Sequence, residues 1–195
     1  MQSEYFVLER AANNDHPLLG WAQRSGAFYK GKEVSVTEAV KLRLGAPVPQ
    51  KPVMVDHHCL PKPVVSTRVK EVLEPLELHR VQFVPADVRV GEGDVRRYWL
   101  VHIFNEVPAL DREHSVVEWV SEEDGLIFAI EKLVLKKSVL EELPLPQRQV
   151  FVLAEDSSMN LVHQSVVQQV MALTPAVEGF SFIPVEEWNS AAPFR

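Results

Sequence analysis

The residues best suited to chemistry are four neighbours, Asp56, His57, His58 and Cys59. Each of these side chain types can ligate a metal ion, and a cysteine beside a histidine offers a thiol nucleophile and its base. Neighbouring side chains on an extended chain point to opposite sides, however, so four consecutive residues cannot easily close on one metal. We therefore favour a loop before a helix, in which His57 or His58 hydrogen-bonds locally. A small enzyme or metal-binding protein that uses this cluster is the alternative.

Other catalytic patterns are missing from the sequence. It contains no second metal-ligand cluster with C-x-x-C or H-x-x-x-H spacing, and no G-x-S-x-G, P-loop or G-x-G-x-x-G motif. The run Gly91-Glu92-Gly93-Asp94 has the composition of a tight turn. The sequence predicts no catalytic residue, no cofactor site and no metal ligand.

A corner between two strands is predicted at Asp111–Ser115. Aspartate and serine side chains readily bond backbone amides, so Asp111 and Ser115 are interpreted as a structural latch. The alternative is a pair of carboxylates for acid–base work, because Asp111 and Glu113 would face the same side of an extended chain.

Two acidic spots are candidate binding surfaces. One is the densest acidic run of the chain, and we interpret it either as a solvated hairpin tip or as a face that steers a basic partner. The other combines two glutamates with a tryptophan, which is enriched in binding hot spots but could equally seal the C-terminal end of the domain. The candidate partner-binding residues are Glu118, Glu122, Glu123, Asp124, Glu186, Glu187 and Trp188.

Composition indicates a globular chain that works in a reducing compartment. The 195 residues are 46% hydrophobic and 24% charged, which is ordinary for a folded domain. The single cysteine excludes an internal disulfide. No secretion signal or membrane span is recognisable, so we expect a cytoplasmic protein that does not bind membranes. The net charge is −7 and the basic residues are scattered, which argues against nucleic-acid binding.

The sequence of residues 1–52 predicts a strand at Glu4–Leu8, a small hairpin at Ala27–Ser35, and a helix from Ser35 to Leu44. The helix is suggested by a capping box, in which Ser35 and Glu38 satisfy each other's backbone amides. The Pro-rich run that follows cannot form regular structure. Residues 1–52 are therefore either the strand and helix portion of the same domain or a small appendage to a main domain at 53–195.

The main domain alternates short helices with strands joined by short turns. We predict a helix capped by Ser66, and strands at Val81–Val90, Val95–Val107, Ser115–Val120, Leu126–Leu135 and Gln149–Leu153. A unit of helix, turn and strand is written twice, at Ser66–Val88 and at His163–Trp188, and is a candidate internal repeat. The predicted fold class is α+β, with a mainly antiparallel sheet and a few short helices.

Three stretches together resemble family eleven of the polymorphic-toxin immunity proteins. They are PVVSTRVKEVLE with VQFVPADV, then YWLVHIFNEVPALDREHS, and last VEGFSFIPVEEW, and the match covers roughly Pro63 to Trp188. The family resemblance implies a non-catalytic cytosolic antidote that binds a cognate toxin and blocks its active site. It also implies that the matching residues are architectural: Ser66, Phe83, Pro85, Asp111, Ser115, Gly179, Phe182 and Pro184.

Overall fold

Strands dominate the structure, which is a computed structural model that describes residues 1–192. In the first half, the elements are β1 (Tyr5–Arg10), β2 (Leu19–Trp21), β3 (Val40–Leu44), β4 (His57–His58), β5 (Val64–Val65), α1 (Thr67–Leu73), β6 (Val81–Arg89) and β7 (Val95–Ile103). In the second half, they are β8 (Glu106–Val107), β9 (Val116–Ser121), β10 (Leu126–Lys132), α2 (Lys137–Glu142), α3 (Leu145–Arg148), β11 (Val150–Leu153), β12 (Asp156–His163), α4 (Gln164–Met171) and β13 (Phe180–Pro184). The predicted α+β class is confirmed.

The six-stranded sheet has the order β2-β3-β6-β7-β5-β4 and is built around the long β6–β7 hairpin. Only the β3–β6 pair is parallel. Pro85 lies in β6 opposite Trp99, one residue before the parallel pairing with β3 begins at Ala86. A proline has no amide to donate, and here β3 does not require one.

The five-stranded sheet has the order β13-β1-β12-β11-β8. Strand β1 is antiparallel to β12 on one side and to β13 on the other. Residues 1–52 thus contribute strands to both large sheets, since β2 and β3 belong to the six-stranded one.

Strands β9 and β10 form a separate two-stranded sheet, which we call the outer hairpin. Its inward residues Val117, Trp119 and Ile127 pack on the first hydrophobic core, which covers one face of the five-stranded sheet and includes Phe151 and Leu161. A second core is formed mainly by side chains of the six-stranded sheet. A third core packs both large sheets against α1 and α4.

The repeated unit is helix followed by strand in both copies, α1 with β6 and α4 with β13. The two helices contact each other within the third core, through residues such as Val69 and Val166. Their strands lie in different sheets, so the two copies share local structure and a common core without sharing a sheet.

Two predictions for the N-terminal portion are wrong. Val40, Leu42 and Leu44 are buried and alternate with exposed residues, so the predicted helix at Ser35–Leu44 is instead irregular chain followed by β3. This period of two is the strand pattern, and it outweighs the capping box. A 310 turn at Gly26–Tyr29 replaces the predicted hairpin at Ala27–Ser35.

Candidate functional site

Asp56 is a hub that joins three distant parts of the chain. Its carboxylate accepts hydrogen bonds from the Ser66 hydroxyl at 2.7 Å and from Arg68 Nε and Nη2 at 2.8 and 2.6 Å. It also accepts one from the Glu178 amide at 3.0 Å. Burial opposes ionisation, but these bonds prevail and lower the pKa of Asp56 below its ordinary value. Ser66 thus occupies the predicted cap position of α1, although its hydroxyl bonds Asp56 instead of the helix.

His57 continues this hub into the core. It is 1% exposed, and its Nδ1–H donates to the Gly179 carbonyl at 3.1 Å. Its ring stacks on Phe180 at 4.5 Å, and Phe180 stacks on Phe182 at 5.3 Å. Burial lowers the pKa of His57 to about 4, so the ring is neutral at physiological pH and serves as a packing and hydrogen-bonding group.

His58 and Cys59 are also held by the fold. His58 Nδ1–H donates to the Pro17 carbonyl at 2.8 Å, and burial raises the pKa of the Cys59 thiol, which opposes formation of a nucleophilic thiolate. The expectation of local hydrogen bonds is wrong, because the carbonyls that accept from His57 and His58 belong to remote segments. Within residues 1–192, no three His, Cys, Asp or Glu side chains are grouped as metal ligands.

Gly179 explains why this hub can be so close-packed. Its φ is +89°, and a Cβ added there would lie 2.3 Å from the His57 carbonyl oxygen and 2.7 Å from Val55 Cγ2. Only glycine combines this conformation with such an approach. We call residues 55–59, 66–68 and 175–180 together the buried latch, after its buried centre at His57, His58 and Gly179; Thr67, Pro175, Ala176 and Glu178 form its exposed rim.

The corner at Asp111–Ser115 is fixed by its own side chains. Asp111 Oδ1 accepts from the amides of Glu113 and His114, and Oδ2 lies 2.9 Å from His114 Nδ1. The Ser115 hydroxyl both donates to and accepts from the Val134 backbone. These contacts hold both ends of the outer hairpin together.

The outer hairpin carries the first acidic spot on its exposed side. Glu118, Glu122, Glu123 and Asp124 are all exposed. Residues 116–132 contain five carboxylates and one lysine, so the hairpin has a local excess of negative charge.

The same hairpin exposes an apolar strip that sequence analysis did not identify. Val116, Val120, Leu126 and Phe128 are 48%, 67%, 54% and 69% exposed. The alternation of buried and exposed residues along β9 and β10 shows that one face is inside and the other in solvent. Apolar residues occur on both faces, so the sequence pattern alone does not reveal which of them lie outside.

The second acidic spot is divided by the structure. Glu186 and Glu187 are exposed, whereas Trp188 is 8% exposed and its indole Nε1–H donates to Glu9 Oε1 at 2.9 Å. Trp188 therefore packs in the first core, which agrees with the interpretation that it seals the C-terminal end of the domain. The next residues run along β10, where the Ser190 amide donates to the Ile130 carbonyl at 2.9 Å.

A cavity of about 310 Å³ opens beside the two large sheets and has a balanced charge. Lys62 lies with its ammonium 4.9 Å from the centroid of the Tyr29 ring. Burial lowers the pKa of Lys62, while the nearby Glu106 carboxylate acts in the opposite direction. The residues that line this cavity therefore do not carry the excess of negative charge found on the outer hairpin.

The sequence matches the model of one known protein family over most of its length. The model of the Immunity protein family (Imm11) matches residues 15–187. The chain belongs to this family. The family resemblance is thereby confirmed, and the match to Imm11 extends beyond the resembling stretches into residues 15–62. No curated protein matches the sequence.

The residues that carry the Imm11 resemblance sit mostly in the buried latch and the strands beside it. Phe182 and Phe83 pack against the third core, and Pro184 ends β13, the edge strand that pairs with β1. None of the helices among residues 1–192 is both long and apolar enough to cross a membrane.

Proposed function

We propose that this protein binds a cognate bacterial toxin in the cytoplasm and neutralises it by covering the toxin's active site. Family membership over residues 15–187 carries the proposal. The buried latch supports a non-catalytic role, because Asp56 is bonded by Ser66, Arg68 and the Glu178 amide, and His57 and His58 bond backbone carbonyls. Asp56 has four hydrogen-bond donors around it, and His57 is enclosed.

We propose that the toxin is basic where it meets the outer hairpin. The five carboxylates of residues 116–132 favour a positively charged cleft, such as one that binds phosphate groups. Complementary charge raises the rate of encounter and selects against partners of like charge. Glu186 and Glu187 are proposed as a second acidic contact, because the chain segment that follows them returns to β10. Trp188 is left out of the proposed surface because it is buried.

An enzymatic role for the Asp56–Cys59 segment has no observation in its favour. A catalytic thiol is a thiolate in an electropositive, accessible place, whereas the pKa of Cys59 is raised by burial. The proposal therefore places function on the exposed acidic surfaces.

The first test is co-expression with the neighbouring gene, which for an antidote encodes a larger protein with a toxic C-terminal domain. Rescue of growth and co-purification are the expected results. The triple variant Glu122→Lys, Glu123→Lys, Asp124→Lys is expected to weaken binding about tenfold or more and to reduce its dependence on salt.

A matched control separates the local effect from the change in net charge. Glu38, Glu71 and Glu92 are exposed acids on or beside the six-stranded sheet, and reversing all three to lysine alters the net charge equally. Affinity close to that of the parent protein is expected for this control. Equal losses in both triple variants would remove the outer hairpin from the interface, and failure to rescue growth would refute the proposed function.

A further inference from the structure

The outer hairpin has a longer edge strand, β9, than either of the two large sheets. The edge strands of the two large sheets are β2, β4, β8 and β13, which have two to five residues, and β13 ends in a proline. Strand β9 has six residues and no proline, and its pairing with β10 shifts register at three places. Within residues 1–192 it pairs only with β10. An unpaired edge of this length is a template for another strand, and proteins ordinarily protect it.

The opposite edge of the hairpin is already covered in part. The amide and carbonyl of Ile130 in β10 bond Ser190, with the amide donating to the hydroxyl at 2.8 Å and the carbonyl accepting from the Ser190 amide at 2.9 Å. The C-terminal segment thus blocks β10, and β9 remains as the open side.

The solvent face of β9 has a specific order of side chains. Along β9, the side chains that point toward solvent are, in order, Val116, Glu118 and Val120. Val117 and Trp119 point toward the first core. Leu126 and Phe128 extend the apolar strip on β10. Cross-strand neighbours on one face stabilise a sheet when they are apolar pairs or opposite charges. The complement of this face is therefore a strand whose outward residues run apolar, basic, apolar.

We infer that an extended segment of the toxin, with that apolar–basic–apolar order, binds as a third strand against β9. This rests on the proposed function and specifies how the partner is held. Main-chain hydrogen bonds to β9 supply affinity, and the side chains opposite Val116, Glu118 and Val120 supply specificity. The hairpin carboxylates around the strip attract the basic segment before it pairs.

A second copy of the chain is a poor occupant of the same edge. Antiparallel pairing of two β9 strands centred on Glu118 would put two glutamates opposite each other, and like charges in that position are destabilising. Both copies would also carry a net charge of −7. A basic partner of different sequence has neither disadvantage.

Residue-resolved amide hydrogen exchange tests the inference on the free chain and on its co-purified complex with the toxin domain encoded by the neighbouring gene. In the free chain, the β9 amides that do not bond β10 are expected to exchange fast. In the complex, those β9 amides are expected to exchange up to about 100-fold more slowly, because they become hydrogen-bonded.

Two valine substitutions add a side-chain readout. Val120→Thr keeps the β-branched shape and removes an apolar contact, and it is expected to weaken binding about fivefold. Val36→Thr is the matched control, at an exposed valine that is distant in sequence from the outer hairpin, and it is expected to leave affinity unchanged.

The outcomes separate the inference from the proposed function. A tight complex in which the β9 amides that do not bond β10 exchange as fast as in the free chain overturns strand pairing and leaves the toxin-binding role intact. Absence of any complex overturns both. A free protein that dimerises with protected β9 amides also overturns the inference, since the edge would then belong to a second copy.

Discussion

The buried latch and the outer hairpin differ in almost every property that is used to recognise a functional site. The latch contains an aspartate, two histidines and the only cysteine, which are typical ingredients of catalysis. Yet His57 and His58 are 1% and 3% exposed, and their ring Nδ1 atoms bond the backbone. The hairpin contains carboxylates, valines and a phenylalanine, and these are exposed.

Residue types that are typical of catalysis can therefore have a purely structural role where a fold has to connect remote segments of the chain. Most buried polar groups are hydrogen-bonded, and polar side chains with several bonding atoms can join several chain segments at one point. Binding a protein partner needs accessible area and charge instead. Substitutions in each region separately test this difference.

The largest effect is expected for Gly179→Ala in the buried latch. The new Cβ would clash with the His57 carbonyl, and the positive φ adds strain, so we expect a loss of about 4 kcal/mol in the free energy of unfolding. Urea denaturation followed by tryptophan fluorescence measures it. Gly93→Ala is the control, because Gly93 has a φ of +77° with nothing within 4 Å of the added Cβ. It should cost about 1 kcal/mol, and equal losses in the two variants would show that the latch is not tightly packed.

A smaller but still large effect is expected for Asp56→Ala. The Asp56 side chain is 12% exposed, and its loss leaves Arg68 without its carboxylate and the Glu178 amide without its acceptor. We expect a loss of about 3 kcal/mol in the free energy of unfolding, chiefly from the four hydrogen bonds, because Arg68 is 32% exposed and its charge stays partly solvated. Asp94→Ala removes an ion pair with Arg96 in which both side chains are nearly half exposed, and its unfolding midpoint should match the parent protein. An unchanged midpoint for Asp56→Ala would refute the hub.

The smallest of these effects is a decline in stability at acidic pH. The unfolded chain protonates His57 near its ordinary pKa of about 6.5, but the folded chain does so only near a pKa of about 4. The unfolded state therefore binds more protons between these values, and stability falls as the pH drops. We expect about 2 kcal/mol less at about pH 5 than at about pH 7 from His57. The lowered pKa of His58 acts in the same direction.

The variant His57→Gln assigns that decline to one residue. Glutamine can still donate to the Gly179 carbonyl but does not titrate, so a shallower dependence of the free energy of unfolding on pH is expected. A slope equal to that of the parent protein would show that other groups cause the decline.

The predictability of the fold depended on whether local pattern and tertiary context agreed. The β6–β7 hairpin was predicted because Gly91–Asp94 has turn chemistry and both flanking runs have strand propensity. Strand β12 was missed. Its first residues, Asp156, Ser157 and Ser158, have the composition of a turn. The pairing that makes β12 a strand lies mostly further along, where Asn160–His163 contact β11 and β1, and Asp156 alone of the first three pairs with Leu153 of β11.

The candidate site was predictable in its charges and not in its apolar contacts. The carboxylates of the outer hairpin stand out in the sequence, because a charge run is almost always exposed. Val120 and Phe128 do not stand out, since a strand with apolar residues on both faces reads as a buried strand. Which face is covered depends on the first core, and that core is assembled from distant segments.

Strand β1 has a consequence for how the protein is made. It lies between β12 and β13, so the earliest strand of the chain pairs only with some of the latest ones. During synthesis, Tyr5 and Val7 have no sheet neighbour until Leu161–His163 of β12 has left the ribosome, and Val7 gains its second neighbour only with Ile183 of β13. Contacts between such distant residues also form slowly. A ribosome that stalls between β12 and β13 leaves a chain whose five-stranded sheet lacks its edge strand β13.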